Sequence, residues 1–378
     1  MDNIYGLENP SECKMDKDKL QRVKKVFFEQ QEQGLFPGGQ LVVRRHGHVA
    51  LNVSCGVARG WNNRGGDALD VKQDTPFPVY STGKPMAAVM IAMLEKEGVL
   101  DIHTPICNIL PKFSGMGRDE ITTLDVLTHK AGILLPDLIH NHTIWANTEE
   151  VWAYLLKTKP LYPRGTFAYM PAEYGLILDQ IVRKLTGQSI AQKLRALLDN
   201  LGIQNMGFGL NQHNIDDIAW SYWFGKDKYM IAGMDVADRF EEKNNDHAVF
   251  AAGNPAFSMV ADAASLAAFY EFLLHGNAQI DKALIDKYTT KQVSGWNKTV
   301  SAYLSLGRGF MLGTVTPSFY GWWGTGGCFG HAGIFSSLAY ADHKTGLSVA
   351  IVTNGNKSIG DFFSRFVKLS HGIRGACK

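Results

Sequence analysis

A serine stands three residues ahead of a lysine in Ser81-Thr82-Gly83-Lys84, at the head of the apolar run PMAAVMIAML. On a helix, positions i and i+3 share a face, so the Lys84 nitrogen can reach the Ser81 hydroxyl. A serine hydroxyl is a weak nucleophile until a neighbouring base takes its proton, and a lysine whose pKa is depressed by burial is such a base. A helix N-terminus adds backbone N–H groups and the positive end of the helix dipole beside the reacting atom. The same residues also read as a plain helix start, with Ser81 as N-cap and Pro85 in the first turn. A pattern this short recurs by chance, so its meaning depends on partners further along the chain.

Two stretches offer partners. In YPRGTFAYMPAEYGLILDQIVRKLTG, Tyr162 to Gly187, Tyr169 falls in a loop just before a helix. From there a phenol can enter a cleft and relay a proton between Ser81 and a leaving group; a core tyrosine with a satisfied hydroxyl is the plainer alternative. In GCFGHAGIFSSLAYADHKTGLSVAIVTNG, His331-Ala332-Gly333 opens a strand. Gly333 lets the backbone approach a substrate closely. The N–H of Ile334 can then pair with that of Ser81 as a two-donor oxyanion hole. His331 is assigned to binding or orienting substrate, not to proton transfer. Trp322, Trp323 and Phe329, in SFYGWWGTGGCFG, are candidate walls for an acyl or alcohol pocket, with packing over the sheet edge as the alternative.

Other chemistries find no support. GxSxG, GxxxxGK[ST] and HExxH are all missing from the chain. His103, His129, His140 and His142 fit no tetrahedral ligand spacing and are expected to be surface or loop histidines. No metal and no other cofactor is expected. Cys328 lies near the proposed site, but nothing beside it would activate a thiol.

The elements that must position these residues follow from periodicity. A helix is expected over Asp16–Gln33, then strands Gln40–Arg44 and Val49–Val57 joined by a turn with Gly47 at its tip. Helical patterns follow over Met86–Glu97, Thr123–Thr128, Glu149–Leu156, Ala172–Thr186 and Ile190–Asp199. Trp220–His247 is irregular and rich in aromatics and charges. After it come a helix introduced by a Ser258 turn and closed by Gly276, strand candidates in GRGFMLG, GIFSSLAYADH and TGLSVAIVTNG, and a last helix over Gly360–Leu369. The order predicts an α+β fold: an antiparallel sheet from both chain ends, flanked by helices, with an inserted helical lobe. The whole chain, 1–378, then forms one catalytic unit, with a sheet lobe of about 16–75 and 250–378 and a helical lobe of about 76–249.

Composition bounds the setting. The 378 residues are 45% apolar and 20% charged, enough for a large globular core. A net charge of +2 gives no electrostatic footprint for nucleic acid. No apolar run is long enough to span a bilayer. The five cysteines are widely spaced with no CxxC pair, and the N-terminus lacks the apolar core of a signal peptide; both point to a reducing, cytoplasmic setting. Oligomeric state is not legible.

The ordered set of Ser81-Thr82-Gly83-Lys84, LTHKAGI (Leu127–Ile133), Tyr169 after RGT, and His331-Ala332-Gly333 resembles the serine β-lactamase-related superfamily. It is most similar there to the class C β-lactamase branch and the family VIII carboxylesterases, over about Lys19 to Val367. The resemblance implies an acyl-enzyme on Ser81, with Lys84 as its activating partner. Tyr169 stands for the tyrosine of the second motif, a general-base candidate, and His331-Ala332-Gly333 for the third motif on the pocket strand. Two departures matter. Tyr169-Met170-Pro171 replaces Tyr-x-Asn, and His331-Ala332-Gly333 replaces Lys-Thr-Gly, removing a side-chain amide and a cation. Both favour a small uncharged acyl ester, hence a carboxylesterase. Acyl transfer from the same acyl-enzyme, β-lactam or D-Ala-D-Ala hydrolysis, and an inactive binding protein of the same fold are the alternatives.

Overall fold

The structure, a computed structural model, describes residues 4–139, 141–210, 213–231, 234–315 and 317–378. Nine strands form its main sheet, numbered here in chain order: β1 Gly38–Arg45, β2 His48–Arg59, β3 Leu69–Asp70, β4 Val293–Asn297, β5 Ala302–Leu306, β6 Met311–Leu312, β7 Cys328–Gly333, β8 Ser337–Asp342 and β9 Leu347–Thr353. Their order across the sheet is β4-β5-β6-β7-β8-β9-β1-β2-β3, with antiparallel pairing throughout. The two ends of the chain meet where β1 pairs with β9, Leu41 opposite Ile351. The β1–β2 hairpin closes through His46 and Gly47, both with positive φ, the geometry of a two-residue turn that matches strand twist.

Alternation along β1 assigns the two faces. Leu41 and Val43 join a core with α1 (Lys17–Glu32) and the C-terminal helix. Val42 joins the larger core on the opposite face, which contains α2 (Lys84–Lys96), α3 (Glu173–Thr186), α4 (Ile190–Leu201) and α5 (Ala263–His275). Every residue of α5 from Ala263 to Leu274 is buried, Ser265 and Glu271 included, so the helix lies inside the core on all sides. The C-terminal helix, α6 (Ile359–Gly375), packs on α1. Among the described residues no helix is long and apolar enough to cross a membrane.

Several expectations need correction. The helix ending at Gly276 does not start at a Ser258 turn. Met259–Ala261 is a strand between Phe77–Pro78 and Met206–Phe208, and the Asp262 carboxylate caps α5 by accepting from Ser265 N–H at 2.6 Å. His331-Ala332-Gly333 closes β7 and does not open a strand. In GRGFMLG only Met311 and Leu312 are strand. β4 and β5 had no clear signal, because β4 alternates exposed and half-buried residues around Gly295. Helix α6 runs six residues past Leu369. Within Trp220–His247 the described residues form the short strand Tyr222–Trp223, paired parallel with Gly355–Asn356, a two-residue ladder of Met230–Ile231 with Met234–Asp235, and the helix Phe240–Asn244.

Candidate active site

Ser81 does not cap a helix. It lies in the 3-10 turn Tyr80–Gly83, and α2 begins at Lys84 with no side-chain cap. In such a turn residues i and i+3 eclipse each other, which brings serine and lysine closer than an α-turn would. The Lys84 Nζ is 3.1 Å from Ser81 Oγ. It also donates to the carbonyls of Pro171 at 2.7 Å and Ala256 at 2.9 Å. Lys84 has no exposed surface, whereas Ser81 is partly accessible. Burial holds the Lys84 amine well below the ordinary lysine range, against the opposing pull of Glu173.

Tyr169 faces this pair. The Lys84 nitrogen lies 4.9 Å from the centre of its ring. Burial pushes the phenol above its ordinary pKa, and a hydrogen bond with Ser81 pulls the other way, so the phenol keeps its proton at neutral pH. Two imidazoles flank the ring, His129 at 4.4 Å and His331 at 6.1 Å between centroids. Both are buried, and burial depresses both pKa values, that of His331 to about 3. Their hydrogen bonds fix opposite tautomers. His331 Nδ1 donates to the Ala332 carbonyl at 2.7 Å, leaving Nε2 as an acceptor. His129 Nδ1 accepts from Met170 N–H at 3.0 Å, which leaves the proton on Nε2.

The end of β7 presses on the nucleophile turn. A Cβ on Gly333 would lie 2.2 Å from both Val79 O and Ser337 Oγ, so only glycine fits there. Ser337 Oγ donates to Val79 O at 2.8 Å and is 2.9 Å from Thr82 Oγ1. Ile334, next along the chain, packs with Tyr80 at the edge of a small core cluster. Ser81, Lys84, Tyr169, His331, Ala332, Gly333 and Ile334 thus share one locality.

Trp323 and Phe329 do not join them. Trp323 is 66% exposed and packs edge-on against His371 of α6. Phe329 is buried among Phe310, Tyr270 and His343, four residues back along β7 from Gly333. Trp322 contacts Phe363, also on α6. These rings pack, the two tryptophans against α6 and Phe329 in the core, and not over the sheet edge.

Sequence reasoning missed most of what supports the trio. His129 is buried, not a surface histidine, and its presence in LTHKAGI was the available signal. His142 is buried too, 3.1 Å from Asp246, while His103 is exposed as expected and His140 lies outside the described residues. Asn297 of β4 accepts from Tyr169 N–H at 3.1 Å and had no signal at all. Among the described residues no group of His, Cys, Asp and Glu is arranged to hold a metal ion.

An antiparallel sheet carrying a Ser–x–x–Lys turn, with a tyrosine across from it, defines a serine hydrolase of the β-lactamase class. Residues 23–369 match the Beta-lactamase family, and the chain belongs to it. The chain is 25% identical to "Esterase/beta-lactamase LipL" of Mycobacterium tuberculosis, over 90% of this chain and 83% of that one. A penicillin-binding protein homologue from Caulobacter crescentus superposes with a TM-score of 0.80 at 26% identity, covering 95% of this chain and 98% of that chain. A family VIII carboxylesterase superposes with a TM-score of 0.75 at 20% identity, covering 96% and 99%, a likeness of fold alone.

Proposed function

We propose that the protein is a carboxylesterase that hydrolyses small uncharged acyl esters through an acyl-enzyme on Ser81. The observation that carries this reading is the neutral, acceptor-bearing His331 beside Tyr169, on the strand that abuts the nucleophile turn. A lone pair there offers nothing to a substrate carboxylate, so an acid-bearing β-lactam or peptide terminus lacks its counter-charge. The likeness to an esterase/β-lactamase supports the same chemistry.

The proton path follows from donor counting. A neutral amine has two N–H bonds and one lone pair, and the Pro171 and Ala256 carbonyls take both hydrogens. The lone pair of a neutral Lys84 is then left for Ser81, whose Oγ lies 3.1 Å away and can pass its proton there. Ser81 Oγ attacks the ester carbonyl carbon as its proton passes to Lys84. The N–H groups of Ser81 and Ile334 hold the oxyanion. The protonated Tyr169 gives its proton to the departing alkoxide and regains one from Lys84. Water then attacks the acyl-enzyme by the same path and releases the acid. The reaction needs no cofactor and no protein or nucleic-acid partner, and a reducing, cytoplasmic setting suits the five free cysteines.

The test is hydrolysis of p-nitrophenyl acetate and butyrate by the wild type and Ser81→Ala. Turnover by the wild type and background rates in the variant are expected. A chromogenic cephalosporin and a D-Ala-D-Ala peptide, assayed in parallel, should turn over at least a hundredfold more slowly; faster turnover of either would replace the esterase reading. Added short alcohols measure acyl transfer, because they compete with water for the same intermediate. A wild type that neither hydrolyses any of these nor is labelled on Ser81 by a fluorophosphonate would be a binding protein of this fold.

A further inference from the structure

Two residues beyond Pro171, whose carbonyl takes one Lys84 hydrogen, lies a buried carboxylate that the chemistry above does not use. Glu173 opens α3 and is 4% exposed. Its Oε1 accepts from Leu135 N–H at 2.8 Å, and its Oε2 accepts from Ala172 N–H at 3.3 Å. Neither contact is to a cation, and among the described residues no salt bridge reaches this side chain. Two backbone donors favour an ionised carboxylate over a protonated one.

The contacts place Glu173 astride two loops of the site. One carries Leu135, a few residues after His129. The other runs from Tyr169 through Met170, which donates to His129, and Pro171, which accepts from Lys84. The second loop is therefore pinned at both ends, by His129 and by Glu173. Lys84 supplies the electrostatic partner: once protonated, its charge favours the ionised carboxylate, and the carboxylate favours the ammonium in return.

We propose that Glu173 is a positioning residue for the general base: its carboxylate clips the Tyr169–Ala172 loop to the loop before Leu135, and its negative charge steadies the ammonium that forms on Lys84 when Ser81 gives up its proton. The inference rests on the acyl-enzyme reading above, in which that proton transfer accompanies formation of the Oγ–carbonyl bond.

The other titratable groups around Lys84 do not supply this charge. Tyr169 comes from the loop, Tyr174 from α3, His129 from the chain after Thr128, and His331 from β7. The two phenols are raised and the two imidazoles depressed, all by burial, so all four rest neutral near neutral pH. Burial raises Glu173 as well, opposed by backbone N–H groups of Glu173 itself, Leu135 and Ala172 and, when protonated, by Lys84. Desolvation favours the neutral Lys84 amine, and Glu173 opposes it. The Glu173 charge keeps it from becoming too weak a base.

The experiment is the pH profile of kcat/KM for p-nitrophenyl butyrate with the wild type and Glu173→Gln. The acid limb reports the protonation of Lys84 in the free enzyme. Removing the carboxylate disfavours the ammonium, so the limb is expected to move to lower pH by about one unit, within the range for loss of a nearby opposite charge. The plateau of kcat should fall about tenfold, the lower range of general-base effects being about a hundredfold, with KM within about twofold of the wild type. A purely structural clip would lower the plateau and leave the limb in place, and that result overturns the proposal. Should Glu173→Gln fail to fold, Glu173→Asp withdraws the charge by one methylene and is expected to move the limb the same way by less. A limb at the wild-type pH overturns the proposal there too. A wild type without Ser81-dependent turnover overturns the esterase reading and this inference together; an active wild type with an unmoved limb overturns this inference alone.

Discussion

Tyr169 owes its placement to Asn297 as much as to its own loop. The Asn297 carboxamide oxygen accepts from the N–H groups of Tyr169, Thr299 and Val300, at 3.1, 3.1 and 3.3 Å. Asn297 has no exposed surface, so Asn297→Ala strands these donors at a cost of roughly 1–3 kcal/mol for each that finds no water. The expected result is a lower melting temperature and a kcat reduced about tenfold or more, because the phenol loses its fixed approach to Ser81. Asn297→Asp keeps an acceptor and should retain more activity than the alanine variant; an alanine variant with wild-type kcat would show that Tyr169 is held by other means. Removing the phenol oxygen itself, in Tyr169→Phe, is expected to lower kcat by about 10²–10⁴ while leaving substrate binding close to normal, which separate kcat and KM values would reveal. At this scale the sequence showed the candidate reactive groups and hid their holders. Ser81 and Lys84 form a local pattern, and Tyr169 and His331 are chemically conspicuous. The carbonyls of Pro171 and Ala256 carry no residue-type signature, and Asn297 lies far from Tyr169 in the chain. Trp323 and Phe329 were misassigned because closeness in sequence to His331 does not say which face of a strand, or which end of it, a ring will occupy.

The nucleophile turn is held from two sides, and each hold belongs to an element. Tyr80, just before Ser81, has a φ of 49°, a left-handed conformation that costs a bulky residue energy unless its surroundings enforce it. Its hydroxyl pairs with Ser221, and its ring meets Phe250 edge-on at 6.0 Å, so the segment around Trp220–His247 grips the turn from one side. From the other side β7 and β8 hold it through Gly333 and Ser337. Gly333→Ala places a methyl 2.2 Å from Val79 O, which is backbone and cannot swing aside. Strand and turn must separate, at a cost of about 1–3 kcal/mol for overpacking. Separation also moves Ile334, the proposed oxyanion donor, away from Ser81, so kcat/KM should drop by about two orders of magnitude, a typical effect of losing one such donor. Stopped-flow acylation would check this: an unchanged acylation rate would place the oxyanion donors elsewhere. Periodicity and capping made most long elements readable, and α1, α3 and α4 begin within a residue of where their patterns do. Short strands were less so: GRGFMLG marked Met311–Leu312 but too broadly, and Met259–Ala261 gains strand character from its neighbours in the sheet.

Across the whole molecule the sheet separates stability from chemistry along its strands. Register places Gly333 opposite Ser337, Ser337 opposite Val352 and Val352 opposite Gln40, a row at the site end. Four residues along β1, Arg44 begins the other end, opposite Ser348, which lies opposite Ala341 and then Phe329. There Arg44 Nε pairs with Glu271 of α5 at 2.8 Å, with side chains only 2% and 5% exposed. Glu271 also accepts from Gly47 N–H at 2.9 Å, tying the hairpin to the same carboxylate. Glu271→Ala leaves a buried guanidinium without its counter-ion, and truncating one partner of such a pair costs about 3–5 kcal/mol. Because that loss falls at the end of the sheet away from Ser81, it should appear in equilibrium urea unfolding and not in turnover. Active-site titration with a fluorophosphonate counts folded enzyme, and kcat per titrated site is expected within about twofold of the wild type, well short of a tenfold, 1.4 kcal/mol change. A variant as stable as the wild type would mean that water reaches Arg44 in place of the carboxylate. One that kept its stability but lost turnover would join the two ends of the sheet and undo the separation.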